Sequence, residues 1–101
     1  MLTWDSSLAE SATEWASQCY FQHDPSNQLG ENLAMSYHTG WTTSPDQVIP
    51  ENIVTKAVAE AVQGWWDEYK FYTYGTLYGT DSCASGEQCG HFTQMASSSG
   101  F

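Results

Sequence analysis

The chain has 101 residues, of which 41% are apolar and 15% aromatic, a composition that predicts one small packed domain and excludes a disordered chain. Its formal net charge is −10, and Lys56 and Lys70 are its only cations, which argues against binding to nucleic acid or to anionic membrane surfaces. No apolar run is long enough to span a bilayer, and no signal-peptide pattern follows Met1.

The first predicted element is an amphipathic helix from Ser6 to Tyr20. Asp5 stands at the N-cap position in front of it. Apolar side chains then recur at helical spacing, at Leu8, Ala12, Trp15, Ala16 and Cys19. The segment 23–25 contains a proline, so it ends the helix and opens a polar turn that reaches Gly30.

The clearest element is a second helix, predicted from Ile53 to Lys70. Its apolar stripe consists of Val54, Val58, Ala61, Val62, Trp65 and Tyr69. At about 100° per residue, Glu68 falls inside this apolar sector, and an unpaired charge is too costly to bury there. Glu68 therefore needs a partner. The alternative is a frayed last turn that leaves Glu68 in solvent.

Three stretches are predicted as irregular. Residues Tyr37 to Asn52 form a long loop rich in Thr, Ser, Pro and Gly, with Trp41 as its anchor. Residues Phe71 to Gly75 are aromatic, with room for a short strand. A connection rich in Gly and Ser follows from Thr76 to Gln88.

Three cysteines leave one without an obvious partner. Cys83 and Cys89 are separated by five residues of loop-forming composition, which favours a local disulfide. Closing so short a loop contributes about 2–3 kcal/mol in the chain-entropy model. Cys19 is then either a buried free thiol or paired with a cysteine outside this chain.

The segment from His91 to Met95 is predicted as a strand, because it combines an aromatic, a β-branched residue and alternating polarity. His91 and Thr93 would share one face of the strand. His91 is then a candidate functional group. The alternative is a histidine whose single hydrogen bond at the sheet surface has no functional meaning.

Two imidazoles and two carboxylates form the candidate site: His23, Glu31, Glu68 and His91. Such a set can hold a divalent ion, with zinc as the first choice. Sequence spacing alone does not bring the four together. No nucleophile elbow, zinc-protease motif, phosphate loop or calcium loop occurs in the chain, so no catalytic residue is assigned.

Five motifs in order resemble the CAP superfamily, which comprises the cysteine-rich secretory, antigen 5 and pathogenesis-related 1 proteins and is also called the SCP domain. The motifs read LTWD, WASQCYFQHD, GENLA, AVQGWWDEY and CGHFTQM. The resemblance implies an α+β fold, a three-layer α-β-α sandwich stabilised by disulfides. It also implies a secreted, extracellular protein whose His23, Glu31, Glu68 and His91 line a central cleft that binds a divalent metal.

The same resemblance implies a domain that is incomplete at both ends. A helix is expected before the first motif, and a hydrophobic strand and a cysteine-bearing strand after the last. Residues 1–95 are therefore assigned to a partial CAP domain and residues 96–101 to a tail outside the family. The strand at His91 would have an open edge, and the domain would be marginally stable. The partner of Cys19 would lie in the missing part.

Three functions follow from this set of residues. The first is a non-enzymatic binding module for a sterol, a lipid or an extracellular protein, in defence, venom or reproductive and immune interactions. The second is a metal-dependent hydrolase in which Glu31 or Glu68 acts as general base on a metal-bound water. The third is a truncated product without activity.

Overall fold

The computed structural model describes residues 2–37, 48–75 and 80–99. These ranges contain helices α1 (Ser6–Ala16), α2 (Glu51–Asp67) and α3 (Gly90–Ser99), and strands β1 (Tyr72–Thr73) and β2 (Ser82–Cys83). A 3-10 turn, Glu68–Phe71, follows α2 directly. The α+β class is therefore confirmed. The described residues hold one two-stranded sheet, so a three-layer sandwich stays a prediction.

Helix α1 begins where the sequence predicts and ends earlier, at Ala16 instead of Tyr20. At its start, the Asp5 carboxylate accepts hydrogen bonds from the backbone N–H groups of Ser7 and Leu8, at 2.9 and 3.1 Å. At its end, Cys19 lies in the left-handed region with a φ of 60°, which turns the chain out of the helical path. No residue of α1 is buried.

Helix α2 begins two residues before the predicted Ile53, with Pro50 at its N-cap. The 3-10 turn then carries Glu68 towards the interior, and only 14% of its side chain is exposed. The predicted inward position of Glu68 is therefore confirmed, and the frayed alternative is wrong. Val58, in the middle of the predicted apolar stripe, is 58% exposed. The stripe thus reaches the core only near its C-terminal end.

The predicted strand from His91 to Met95 is wrong, because these residues lie in α3. Cys89, Phe92 and Ala96 are buried, and their spacing of three and four residues places them on one face of a helix. His91 and Thr93 therefore do not share a face. No sheet edge forms at these positions. The predicted boundary between residues 95 and 96 falls within α3.

The core forms where α3 meets the end of α2 and the sheet. Phe92, only 4% exposed, is its one large buried hydrophobic side chain within the described ranges. Its ring lies 5.2 Å from that of Trp66, 5.5 Å from that of Tyr72 and 6.4 Å from that of Tyr69, measured between ring centroids. Edge-on and tilted aromatic contacts of this kind add to the free energy of burial.

A short antiparallel sheet and a disulfide close this end of the molecule. Tyr72 of β1 lies opposite Cys83 of β2, and Thr73 lies opposite Ser82. Cys83 is bonded to Cys89, which directly precedes α3, so the predicted local disulfide is confirmed. Cys19 is a free thiol, as predicted, and it is exposed, so the alternative of a buried thiol is wrong; a partner outside this chain stays a prediction.

Most of the predicted loop with its anchor Trp41 lies outside the described residues, as do residues 76–79 of the second connection. The last residues of the predicted loop, Glu51 and Asn52, already belong to α2. Among the helices that the structure describes, none has the length and apolar character needed to cross a membrane.

Truncating Phe92 should remove much of the stability of this fold. We expect Phe92→Ala to lower the free energy of unfolding by about 3–5 kcal/mol, because it leaves a cavity among three aromatic rings. The matched control Val58→Ala, on the exposed side of α2, should change it by less than about 0.5 kcal/mol. Chemical denaturation of both variants measures the difference. Equal losses would contradict a core centred on Phe92.

A second prediction concerns the hydrogen bond from the Tyr72 hydroxyl to the Asp81 carboxylate, 2.6 Å long. This bond raises the pKa of Tyr72 to about 12 and lowers the pKa of Asp81. A raised pKa means that the folded state favours the protonated phenol. The Tyr72–Asp81 hydrogen bond should therefore contribute its full share to the free energy of unfolding at neutral pH. That contribution should be lost as the pH rises from about 10, the ordinary value for tyrosine, towards 12.

The Asp81→Ala variant should return the pKa of Tyr72 towards about 10. A ¹³C NMR titration of the labelled tyrosine Cζ atoms measures this value. The control is Asp67→Ala, which removes a carboxylate that bonds Gln63 on α2 instead. A Tyr72 that still titrates near 12 without Asp81 would exclude this hydrogen bond as the cause.

Candidate functional site

The first half of the site is a dyad formed by His23 and Glu31. The Nδ1 atom of His23 lies 2.6 Å from Oε1 of Glu31, and the same oxygen accepts the backbone N–H of Asp24 at 3.1 Å. The Nδ2 group of Asn27 donates to the other carboxylate oxygen at 3.5 Å. The Glu31 side chain is 20% exposed, whereas that of His23 is 66% exposed. The His23 imidazole is therefore at the surface, and the Glu31 carboxylate that holds it is largely buried.

Short polar side chains between the two residues make this dyad possible. Oδ1 of Asp24 accepts the backbone N–H of Ser26 at 2.9 Å, and Oδ1 of Asn27 accepts that of Leu29 at 3.0 Å. Each is a local turn in which an Asp or Asn side chain replaces a backbone partner. Two such turns in succession fold residues 24–30 back, so that Glu31 reaches His23.

The second dyad is formed by His91 and Glu68. The Nδ1 atom of His91 lies 2.7 Å from Oε2 of Glu68. The other oxygen, Oε1, accepts the backbone N–H groups of His91 and Phe92, at 3.0 and 3.2 Å. One carboxylate thus orients the imidazole and caps the N-terminus of α3, where the helix dipole favours an anion. The imidazole stacks on the Trp65 indole, with 5.8 Å between ring centroids.

Three contacts bring the two dyads to one place. The side-chain amide of Asn32 donates to the backbone carbonyl of His91 at 3.2 Å. The indole N–H of Trp65 donates to the carbonyl of Leu33 at 3.1 Å. The backbone at Gly30 passes so close to the end of the Gln94 side chain that a Cβ atom there would displace it.

The result is an open cleft of about 370 Å³. Its lining residues are His23, Glu31, Asn32, Gln88, Cys89, Gly90 and His91. Three of the four predicted site residues line the cleft directly. The fourth, Glu68, supports it through His91.

The chemistry of the cleft follows from how each imidazole is held. A carboxylate that accepts from Nδ1–H leaves Nε2 with a lone pair, the arrangement that outer carboxylates give to metal-binding histidines. The described residues contain no group of three or more His, Cys, Asp or Glu side chains placed to hold one ion. Within the described ranges, the cleft is lined by two imidazoles, those of His23 and His91. The four-residue metal site stays a prediction.

The sequence did not identify Asn32, Trp65 and Gln88 as members of the site. For Asn32, the signal in the sequence was its position directly after Glu31. Trp65 precedes Glu68 by three residues and so lies on the same helical face. Gln88 had no signal of its own, because it lies in a connection that was predicted only as irregular.

Comparison with known proteins now identifies the family. The sequence model described as "CAP: Cysteine-rich secretory protein family" matches residues 1–99. The chain belongs to the CAP family. The resemblance seen in the five motifs is therefore confirmed. The match also extends past residue 95, as α3 does.

Individual CAP relatives come from distant organisms. The human cysteine-rich secretory protein LCCL domain-containing 2 is 36% identical, over 93% of this chain and 17% of that protein. The pathogenesis-related protein PR-1 of Medicago truncatula is 33% identical, over 93% of this chain and 45% of that protein. The salivary antigen-5 of Triatoma infestans is 28% identical, over 93% of this chain and 35% of that protein.

The chain thus spans less than half the length of each of these CAP relatives. No solved structure gives a significant match.

The capping role of Glu68 in this CAP chain is open to a direct test. We expect Glu68→Ala to lower the free energy of unfolding by about 1–3 kcal/mol, because two backbone N–H groups lose a charged acceptor. Hydrogen exchange at the amides of His91 and Phe92 should accelerate as well. The matched control is Glu31→Ala, which removes the corresponding carboxylate–imidazole pair of the other dyad, with His23, but caps no helix. Unchanged exchange at both amides in Glu68→Ala would contradict the capping role.

Proposed function

We propose that this chain is the cleft-bearing part of a secreted CAP-type binding module without catalytic activity. Its ligand would be a sterol, a lipid or an extracellular protein, and a divalent ion, with zinc as first choice, would bind at the cleft. The observation that carries the proposal is the pair of His–Glu dyads that meet at one cleft in a CAP-family chain.

Secretion is supported by two independent features. The family description names secretory proteins, and one relative is a salivary antigen. The disulfide between Cys83 and Cys89 is of the kind that persists in oxidising, extracellular compartments. Roles in defence follow only from relatives named as pathogenesis-related proteins. The three-layer sandwich belongs to this proposal as the expected fold.

The donor set supports metal binding. Each imidazole has its Nδ1 atom within hydrogen-bond distance of a carboxylate, which fixes the orientation of the ring. Imidazole nitrogen is a good ligand for zinc, at about 2.0–2.1 Å. His23 and His91 would hold the ion, and Glu31 and Glu68 would orient them. A bound ion would supply a positive charge to a chain whose formal net charge is −10.

The hydrogen bonds of the two carboxylates favour binding over hydrolysis. All four of their oxygens already accept hydrogen bonds from the described residues. Both carboxylates are thus engaged in orienting an imidazole and nearby N–H groups, which suits the outer role at a metal site better than that of a general base. Large apolar side chains that stay exposed, among them Leu29, Met35 and Tyr37, suit an amphipathic or apolar ligand.

Zinc titration calorimetry tests the metal part of the proposal. We expect the wild-type protein to bind zinc, and the His23→Ala, His91→Ala double variant to lose this binding. Affinity should weaken on acidification, because a metal displaces protons from its imidazole ligands. Glu60→Ala, a change on the exposed face of α2, controls for the acidic surface. Equal zinc affinity in the wild type and the double variant would exclude the site.

The non-catalytic part is tested separately with a panel of peptide and ester substrates. We expect no turnover that depends on the cleft. Turnover that disappears in the single variant His91→Ala would contradict this part and support the metal-dependent hydrolase instead.

A further inference from the structure

The two dyads lie on parts of the chain that are far apart in sequence. The His23–Glu31 dyad belongs to residues 23–33, which we call the segment. The His91–Glu68 dyad belongs to the helical body, which consists of α2, the 3-10 turn after it and α3. Each dyad is held by its own hydrogen bonds. Those bonds orient each imidazole, but they do not set the distance between the two imidazoles.

Besides the close contact between Gly30 and Gln94, two side chains connect the segment to the helical body by hydrogen bonds beside the cleft. Asn32, the neighbour of Glu31, donates to the backbone carbonyl of His91 itself, at 3.2 Å. Trp65 donates to the carbonyl of Leu33 at 3.1 Å, while its ring stacks on the His91 imidazole with an interplanar angle of 19°. Both hydrogen bonds are partly buried, which shields them from competition by water.

We infer that Asn32 and Trp65 are positioning residues that set the separation of the two imidazoles across the cleft. Asn32 joins the residue beside one carboxylate to the backbone of the other dyad's histidine. Trp65 holds the carbonyl of Leu33, the residue after Asn32, and its ring fixes the plane of the His91 imidazole. Neither residue supplies a metal donor atom in this assignment. Both act through the histidines.

The functional consequence rests on the proposed metal binding. An ion shared by two imidazoles needs both nitrogens at about 2.0–2.1 Å, and sites of this kind tolerate displacements of roughly 0.5 Å. A segment freed from the helical body would keep its own dyad intact. The distance between His23 and His91 would then vary, so that an ion would be coordinated by one imidazole instead of two.

The first experiment counts nitrogen ligands with Cu²⁺ and electron paramagnetic resonance on the full chain. We expect a two-imidazole signature in the wild type and a one-imidazole signature in Asn32→Ala, with affinity lower by about 10- to 100-fold. Trp65→Phe keeps an aromatic ring on His91 but loses the indole N–H. It should therefore also show fewer imidazole ligands on Cu²⁺ and a lower affinity than the wild type. Gln63→Ala, which removes an exposed amide hydrogen bond to Asp67, is the matched control and should retain two imidazoles.

The second experiment needs no metal. Cys19 is the free, exposed thiol next to the segment, and Cys83 and Cys89 are joined, so a nitroxide label can be attached to Cys19 alone. The label broadens backbone amide signals of α3 according to their distance from it. We expect the pattern of broadening to change in Asn32→Ala and Trp65→Phe and to stay as in the wild type in Gln63→Ala.

The two readouts separate this inference from the proposed function. Unchanged broadening in both Asn32→Ala and Trp65→Phe would overturn the positioning role, whatever the metal data show. Changed broadening together with no copper bound by the wild type would remove the metal proposal and keep the positioning role. Two imidazoles retained on Cu²⁺ in both variants would also overturn the inference, because the separation would then be set elsewhere.

Discussion

The structure depends most on the carboxylate of Glu68, which serves the fold and the cleft at the same time. One oxygen accepts the backbone N–H groups of His91 and Phe92 in the first turn of α3, and the other lies within hydrogen-bond distance of Nδ1 of His91. A helix start that lacked such an acceptor would leave polar groups unpaired beside the core residue Phe92. The position of His91 at the cleft is therefore a consequence of how α3 is capped.

Much of this arrangement could be predicted from the sequence, because it depends on local periodicity. The rotation of 100° per residue placed Glu68 among apolar neighbours, where a charge needs a partner, and that partner is His91. The short loop between Cys83 and Cys89 likewise indicated their disulfide. The Asp and Asn residues between His23 and Glu31 favour turns, but a preference for turns does not by itself show that the two side chains meet.

The remainder could not be predicted, because it depends on contacts between distant parts of the chain. Phe92 and Thr93 favour a strand by local preference, but the helix start at Gly90 is stabilised by a side chain from the end of α2. The helical spacing of Cys89, Phe92 and Ala96 was present in the sequence. A polar stretch after Met95 obscured it, since the expected apolar repeat does not continue there.

The small core makes the cleft and the stability of the domain difficult to separate. Phe92 directly follows His91, and Trp66, which contacts Phe92, directly follows Trp65, which stacks on His91. Changes in the core would therefore move an imidazole, and a ligand bound at the cleft would stabilise the core in return, because binding to the native state shifts the folding equilibrium. Helix α1 has no buried residue, and its Trp15 indole donates to the carbonyl of Gln22, beside His23. Loosening the interior should thus alter the His91 side of the cleft first, while the polar turns that hold His23 depend on hydrogen bonds close in sequence.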